Sequence, residues 1–348
     1  MRCLIAGLAA LLILAPAQAA PLRVVDTASN AAMLNWISRY REDPAPKDVP
    51  AAMRALSRLG AFAHPERAGV YVGFLAGVLA TNPDRTEWLV SQTLKINKQD
   101  RWLLVRAIAY SGLPRWKPML RRIGPEAPRY GVLSEKYLDG KMATLAEFDV
   151  PPSPSAFERM RKNLHLDAMF GAAPHRRILA PGPDVLDTLW GYYFATDGYG
   201  PIMHIIAMLP LSEDHDDADR LTVGSMAKYT LATNAMRDPE LLAMLKASRK
   251  APGQPKRTVR LLGDVIDAAE TVDTARIRKE ALQAIAELQT KGPAYRRNVS
   301  WWGFIGQSAI AGGCLAAAAV GQVEFGLPCV IGGASASAAL NFWNNSPD

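Results

Sequence analysis

The sequence predicts an all-α fold: helix-turn-helix repeats forming an irregular α-solenoid, followed by a Gly/Ala-rich helical hairpin. Three observations predict it. Apolar residues recur at helical spacing almost everywhere, and alternating strand patterns are nearly missing. Turn signals of Pro, Gly, Asn and Asp interrupt that pattern every 10 to 20 residues, as a chain of short helices requires. Near the C-terminus, residues 303–343 carry a single charge, Glu324, between aromatic ends at Trp301-Trp302 and Phe342-Trp343.

The first 20 residues form a targeting segment. Arg2 supplies the positive start, Leu4 to Leu14 the apolar stretch, and Ala17-Gln18-Ala19 a small-x-small cleavage site. The mature chain is expected to begin at Ala20 or Pro21, exported to the periplasm or cell envelope. Cleavage removes Arg2 and Cys3, which takes the formal charge from +7 to +6 and leaves two cysteines. In an oxidising compartment Cys314 and Cys329 can form one bridge; the alternative is a pair of buried thiols.

Four further segments follow from composition. Residues 21–150 read as an N-terminal helical array. Ala28 to Tyr40 begins it. Asp48 then offers a cap, with Pro50 in the first turn and Met53, Leu56 and Leu59 on one face. His64-Pro65 opens a helix with Val70, Phe74, Leu75 and Val78, closed by Asn82-Pro83. Helices at Thr86 to Leu94 and Arg101 to Tyr110 follow, then a basic one from Pro114. The joint Val150-Pro151-Pro152-Ser153-Pro154 cannot stay helical. Residues 151–250 read as a second unit, with helices at Ser155 to Phe170, Asp184 to Phe194 and Ala218 to Ala235. Residues 251–300 hold a linker and two apolar runs, Leu261 to Ala275 and Ile277 to Leu288. Their phase slips by two, so either one helix rotates its buried face there or it breaks near Asp273-Thr274 with a new helix capped there; the two-helix reading suits the rest of the chain better.

Residues 301–343 form the predicted hairpin. Ala309, Gly313, Ala317 and Gly321 recur every four residues and make one smooth helix face. Of the 41 residues from Gly303 to Trp343, 21 are Gly, Ala or Ser, so such a hairpin suits close packing in lipid, in an oligomer, or against the array.

A helix ending in small or turn residues, then a proline, then a new helix recurs at four places. These are Phe62-Ala63-His64-Pro65, Tyr110-Ser111-Gly112 with Pro114, Phe194-Ala195-Thr196-Asp197 with Pro201, and Leu231-Ala232-Thr233-Asn234 with Pro239. The recurrence resembles tetratricopeptide and HEAT arrays in architecture class. The resemblance implies a stacked helical scaffold with a binding surface, and it carries no activity with it.

Chemistry is sparse. Ser225-Met226-Ala227-Lys228 matches the Ser-x-x-Lys pattern of penicillin-recognising enzymes, but the Ser-Asp-Asn and Lys-Thr-Gly companions are missing. Asp214, Asp216 and Asp219 lie in the densest acidic stretch, yet it lacks the internal glycine and the spacing of a calcium loop. It reads better as the acidic entry to the Ala218 helix. The five histidines are dispersed, and there is no Gly-x-Ser-x-Gly, phosphate loop or Cys-x-x-Cys, so no cofactor is expected. Tyr192 and Tyr199 fall off the main apolar face and are candidates to line a groove; His204, among Ile202, Ile205 and Ile206, reads as a hydrogen-bonded interior or groove residue.

Basic residues are spread in clusters without the aromatic interleaving of single-strand binders, which argues against a nucleic-acid partner. The leading expectation is an exported, non-catalytic scaffold that binds another envelope protein or itself, with possible membrane association through 301–343. The alternatives are an envelope hydrolase or lyase on a helical scaffold, and a pore-forming or membrane-remodelling protein.

Overall fold

A computed structural model describes residues 29–124, 130–152, 177–196, 198–273, 275–277, 279–280 and 283. Within these it is helical, with no strand and one isolated parallel bridge, Phe148 to Leu179. The predicted leader, the Ser155 to Phe170 helix, the 301–343 hairpin with Ala309, Gly313, Ala317 and Gly321, and the Cys314–Cys329 pair lie outside the described residues. Among the described residues no helix is long and apolar enough to cross a membrane.

The helices, in chain order, are α1 (Asn30–Ser38), α2 (Val49–Arg58), α3 (Gly69–Thr81), α4 (Thr86–Thr93), α5 (Trp102–Tyr110), α6 (Trp116–Ile123) and α7 (Gly131–Leu138). After the bridge come α8 (Pro183–Thr196), α9 (Tyr199–Met208), α10 (Ala218–Ala235), α11 (Pro239–Lys250) and α12 (Lys256–Glu270). Several ends differ from the sequence expectation. The Ser29 side chain caps α1, accepting from the Ala32 N–H at 3.1 Å. Asp48 occupies the cap position of α2 but makes no side-chain capping bond. It sits in the helical region itself, so its carboxylate is not turned back onto the first turn. Pro65–Arg67 forms a separate 3-10 turn, and α3 starts only at Gly69. Leu59, expected on the buried face, is 40% exposed because it lies past the end of α2.

The centre of the molecule is α3. Every residue from Gly69 to Leu79 is buried, so the helix is apolar all round and is enclosed by its neighbours. It packs against α8 more extensively than any other pair of helices, and against α5 on another side. Glycine permits that approach. A Cβ on Gly73 would overlap the Thr188 carbonyl oxygen, one on Gly191 would overlap the Val70 carbonyl oxygen, and one on Gly77 would sit 2.7 Å from the Ala195 Cβ. Gly69, Gly73 and Gly77 thus form a four-residue repeat along α3 that meets α8 backbone to backbone.

The other contacts are largely between sequence neighbours. α5 meets α6, α6 meets α7, α8 meets α9, α9 meets α10, α10 meets α11, and α11 meets α12. One apolar cluster runs from Met33 through α3 and α8 to Ile277. That cluster holds residues from both sides of Pro151-Pro152. Within it Trp190 donates its indole N–H to Thr230 at 3.0 Å, which ties α8 to α10.

The break near Asp273 is present. α12 ends at Glu270, Val272 adopts φ 58°, and the Asp273 N–H returns to the Ala268 carbonyl at 3.1 Å. That is a Schellman-type stop with valine where glycine is usual. The Asp273 carboxylate then accepts from the Arg276 N–H at 3.3 Å, starting the next turn.

Candidate functional site

The Ser225 to Lys228 turn lies on α10. Asp217 caps this helix, accepting from the Asp219 and Arg220 N–H groups at 3.0 and 3.1 Å. Gly224 lets the backbone at Ser212 cross close over the helix, where a side chain would collide with it. Ser225 and Lys228 are both buried and line a small cavity of about 170 Å³ together with Ser212, Glu213, His215 and Glu280. Lys228 Nζ donates to Asp264 at 3.0 Å and to Glu280 at 3.3 Å. A lysine acting as base on Ser225 needs a free lone pair aimed at the hydroxyl. Here the amine is turned to two carboxylates and joins α10 to α12 and to the turn after Asp273.

The acidic stretch is spent on local pairing. Asp214 binds Arg220 at 2.7 Å. Glu213 receives Arg257 at 2.7 Å and Arg260 at 2.5 Å. Burial works against the Glu213 carboxylate, but these two hydrogen-bonded guanidiniums outweigh it and hold its pKa below the usual value. Asp219 is shifted the other way, by burial and by the neighbouring Asp217. Among the described residues no three His, Cys, Asp or Glu side chains converge to hold a metal ion, so Asp214, Asp216 and Asp219 do not assemble as a ligand set.

Tyr192, Tyr199 and His204 have separate surroundings. Tyr192 donates to the Ser111 carbonyl at 3.3 Å, at the end of α5. His204 packs edge-on against Phe148 with ring centres 4.7 Å apart, and burial lowers its pKa. Tyr199 is 59% exposed.

The sequence reading missed a larger groove, of about 1040 Å³, between α1, the Tyr40–Glu42 turn and the start of α11. Its walls carry Asn35, Ser38, Arg39, Glu42, Asn234 and Arg237. Arg41 and Asp238 fix its floor. Arg41 is nearly buried, binds Asp238 at 2.6 Å and Glu240 at 2.7 Å, and lies 5.1 Å above the centre of the Tyr193 ring. Asp238 also accepts from Tyr193 Oη at 2.8 Å and caps α11 through the Leu241 N–H at 3.0 Å. One carboxylate thus joins the first turn after α1, the middle of α8 and the start of α11. Sequence offered only a weak signal for it: Asp238-Pro239 is a good helix start, but its partner Arg41 lies 197 residues earlier.

No protein-family model, curated protein or solved structure matches this chain.

The most perturbed acid in the described residues is Asp187 on α8. It is fully buried at the α3 crossing, and its Oδ2 has no hydrogen-bond partner. Burial, and then the neighbouring Asp184, raise its pKa well above the usual value. Tyr71 on α3, whose hydroxyl is also buried and unpartnered, is pushed up by burial and by Asp187. Raised acids mark many active sites, but structural burial produces them as well. Asp187 lines none of the openings described above, and a Cβ on Gly69 of α3 would sit 3.0 Å from its Cβ. It is a packed group of the helix crossing.

Proposed function

We propose that this protein is an exported, non-catalytic helical scaffold of the cell envelope, and that the groove over Arg41 and Asp238 receives an extended segment of a partner protein. The observation that carries the reading is the fixed floor of that groove. Its charges are locked by Tyr193 and by the α11 cap, while Arg39 and Asn35 on the walls offer polar groups to a backbone. A preorganised polar wall loses little entropy when it binds. The sequential packing of α8 through α12 supports an irregular α-solenoid of the kind that presents such surfaces. In this reading the 301–343 segment attaches or oligomerises the scaffold.

The test is site-specific photocrosslinking in cells, with the reactive residue at Ser38 or Asn234 and a control at Val132, which is 65% exposed and outside the groove. A discrete adduct from both groove positions, absent from the control and lost in Arg39→Glu, supports the reading. Identical patterns from all three positions would overturn it.

A further inference from the structure

A second surface lies at the turn between α11 and α12. Residues 246–260 contain six cations, Lys246, Arg249, Lys250, Lys256, Arg257 and Arg260, and no acid. All six are exposed. Two carboxylates from elsewhere answer three of them: Glu270 pairs with Lys246 at 2.5 Å, and Glu213 takes both Arg257 and Arg260. Arg249, Lys250 and Lys256 have no ion-pair partner among the described residues. The five residues between the helices, Ala251 to Pro255, include two prolines and Gly253 at φ 79°, so the turn holds the two helix ends, and their cations, together.

An apolar feature adjoins the charge. Met203 on α9 is 38% exposed and its sulfur lies 3.6 Å from Ser248 Oγ, in the last turn of α11. Tyr199, 59% exposed, sits one turn earlier on α9. Large exposed apolar side chains are few among the described residues, and two of them stand on the helix that touches this basic end.

We propose that the α11–α12 turn, with Met203 and Tyr199, docks on an anionic lipid bilayer surface. Unpaired cations on a short rigid turn meet lipid phosphates without desolvating a pair that already exists. Tyrosine and methionine beside them suit the boundary between headgroups and acyl chains, where an amphipathic side chain keeps its polar end wet. An acidic protein would satisfy the charge but gives no reason for exposed Tyr199 and Met203. This surface is distinct from the groove over Arg41, and the proposal stands or falls apart from it.

Flotation of the full-length protein with vesicles tests it, comparing vesicles of neutral lipid with vesicles holding about a third anionic lipid. The variants are Arg249→Glu/Lys250→Glu/Lys256→Glu and, as a control, Lys117→Glu/Arg121→Glu on the exposed face of α6. The wild type should bind the anionic vesicles more tightly than the neutral ones and release as salt rises. The turn variant should lose at least on the order of a hundredfold in partitioning, roughly fivefold for each cation removed with the added glutamates increasing the loss, and the α6 control should stay within a few-fold of wild type. Met203→Gln/Tyr199→Ser should weaken binding without removing its salt dependence. Equal binding to neutral vesicles overturns the proposal, as do wild-type affinity in the turn variant and equal losses in the turn and α6 variants. Circular dichroism of each variant separates lost binding from lost folding.

Discussion

Asp187 is an acid in a place that favours its neutral form, and the consequence can be measured. Its folded pKa lies above its unfolded value, so over that window the folded protein binds more protons than the unfolded chain. Stability therefore falls as pH rises from the usual carboxylate range near 3.8 toward the raised value, by up to about 1.4 kcal/mol per pH unit. Burial is the main cause and Asp184 of the same helix the second, Asp187 in turn raises Tyr71 of α3, and Arg106 of α5 stands 3.9 Å from Asp184. Asp187→Asn should flatten this slope and raise stability at pH 7, measured by urea unfolding between pH 4 and 8; an unchanged slope would mean that Asp187 is ionised in the folded protein. Val272 offers a second single-residue test. A β-branched residue at φ 58° costs roughly 1–2 kcal/mol, and its side chain is 68% exposed, so little packing is lost on its removal. Val272→Gly should stabilise the protein by up to about 1 kcal/mol in the same assay, after the extra freedom of glycine in the unfolded chain is subtracted.

Gly73 and Gly200 make opposite cases for the same substitution. Gly73→Ala places a methyl group on the Thr188 carbonyl and should cost about 3 kcal/mol or more, since two helix backbones must separate. Gly200, in the first turn of α9, has open space around it, and Gly200→Ala should be neutral or stabilising by a few tenths of a kcal/mol. Thermal unfolding of the pair checks both, and equal effects would remove the crossing from the argument. These glycines also show how far the sequence could be read. Helix after helix was legible from spacing, including the phase slip that ends α12, because those signals are local. The Gly69-x-x-x-Gly73-x-x-x-Gly77 spacing is equally visible in the sequence, as is the one from Ala309 to Gly321. What no local pattern carries is the partner: α8 begins 102 residues after α3 ends, and nothing in either helix names the other. The groove was hidden for the same reason, since Arg41 and Asp238 each look like ordinary surface charges until the fold joins them. Ser225 and Lys228 were visible as a pair, but Asp264 and Glu280, which decide what the lysine does, were not. Lys228→Met should cost about 1 kcal/mol, because both carboxylates it leaves are partly exposed and can be hydrated.

At the scale of the whole molecule, two distant stretches complete one core. A fragment ending at Pro152 retains α3 but lacks α8, leaving an apolar helix with its glycine face open. Such a fragment should be poorly soluble and should not unfold cooperatively, whereas the chain through Glu280 should be soluble and unfold cooperatively; sedimentation and urea titration of the two distinguish them. A cooperative, soluble fragment would show that the proline joint does separate independent units. The order in which the chain becomes available then matters. Synthesis delivers α3 long before the helix that seals it, and the early half is expected not to finish alone. If the chain is exported as proposed, that delay acts as a timer: the core around α3 cannot close until the residues through Thr196 are available.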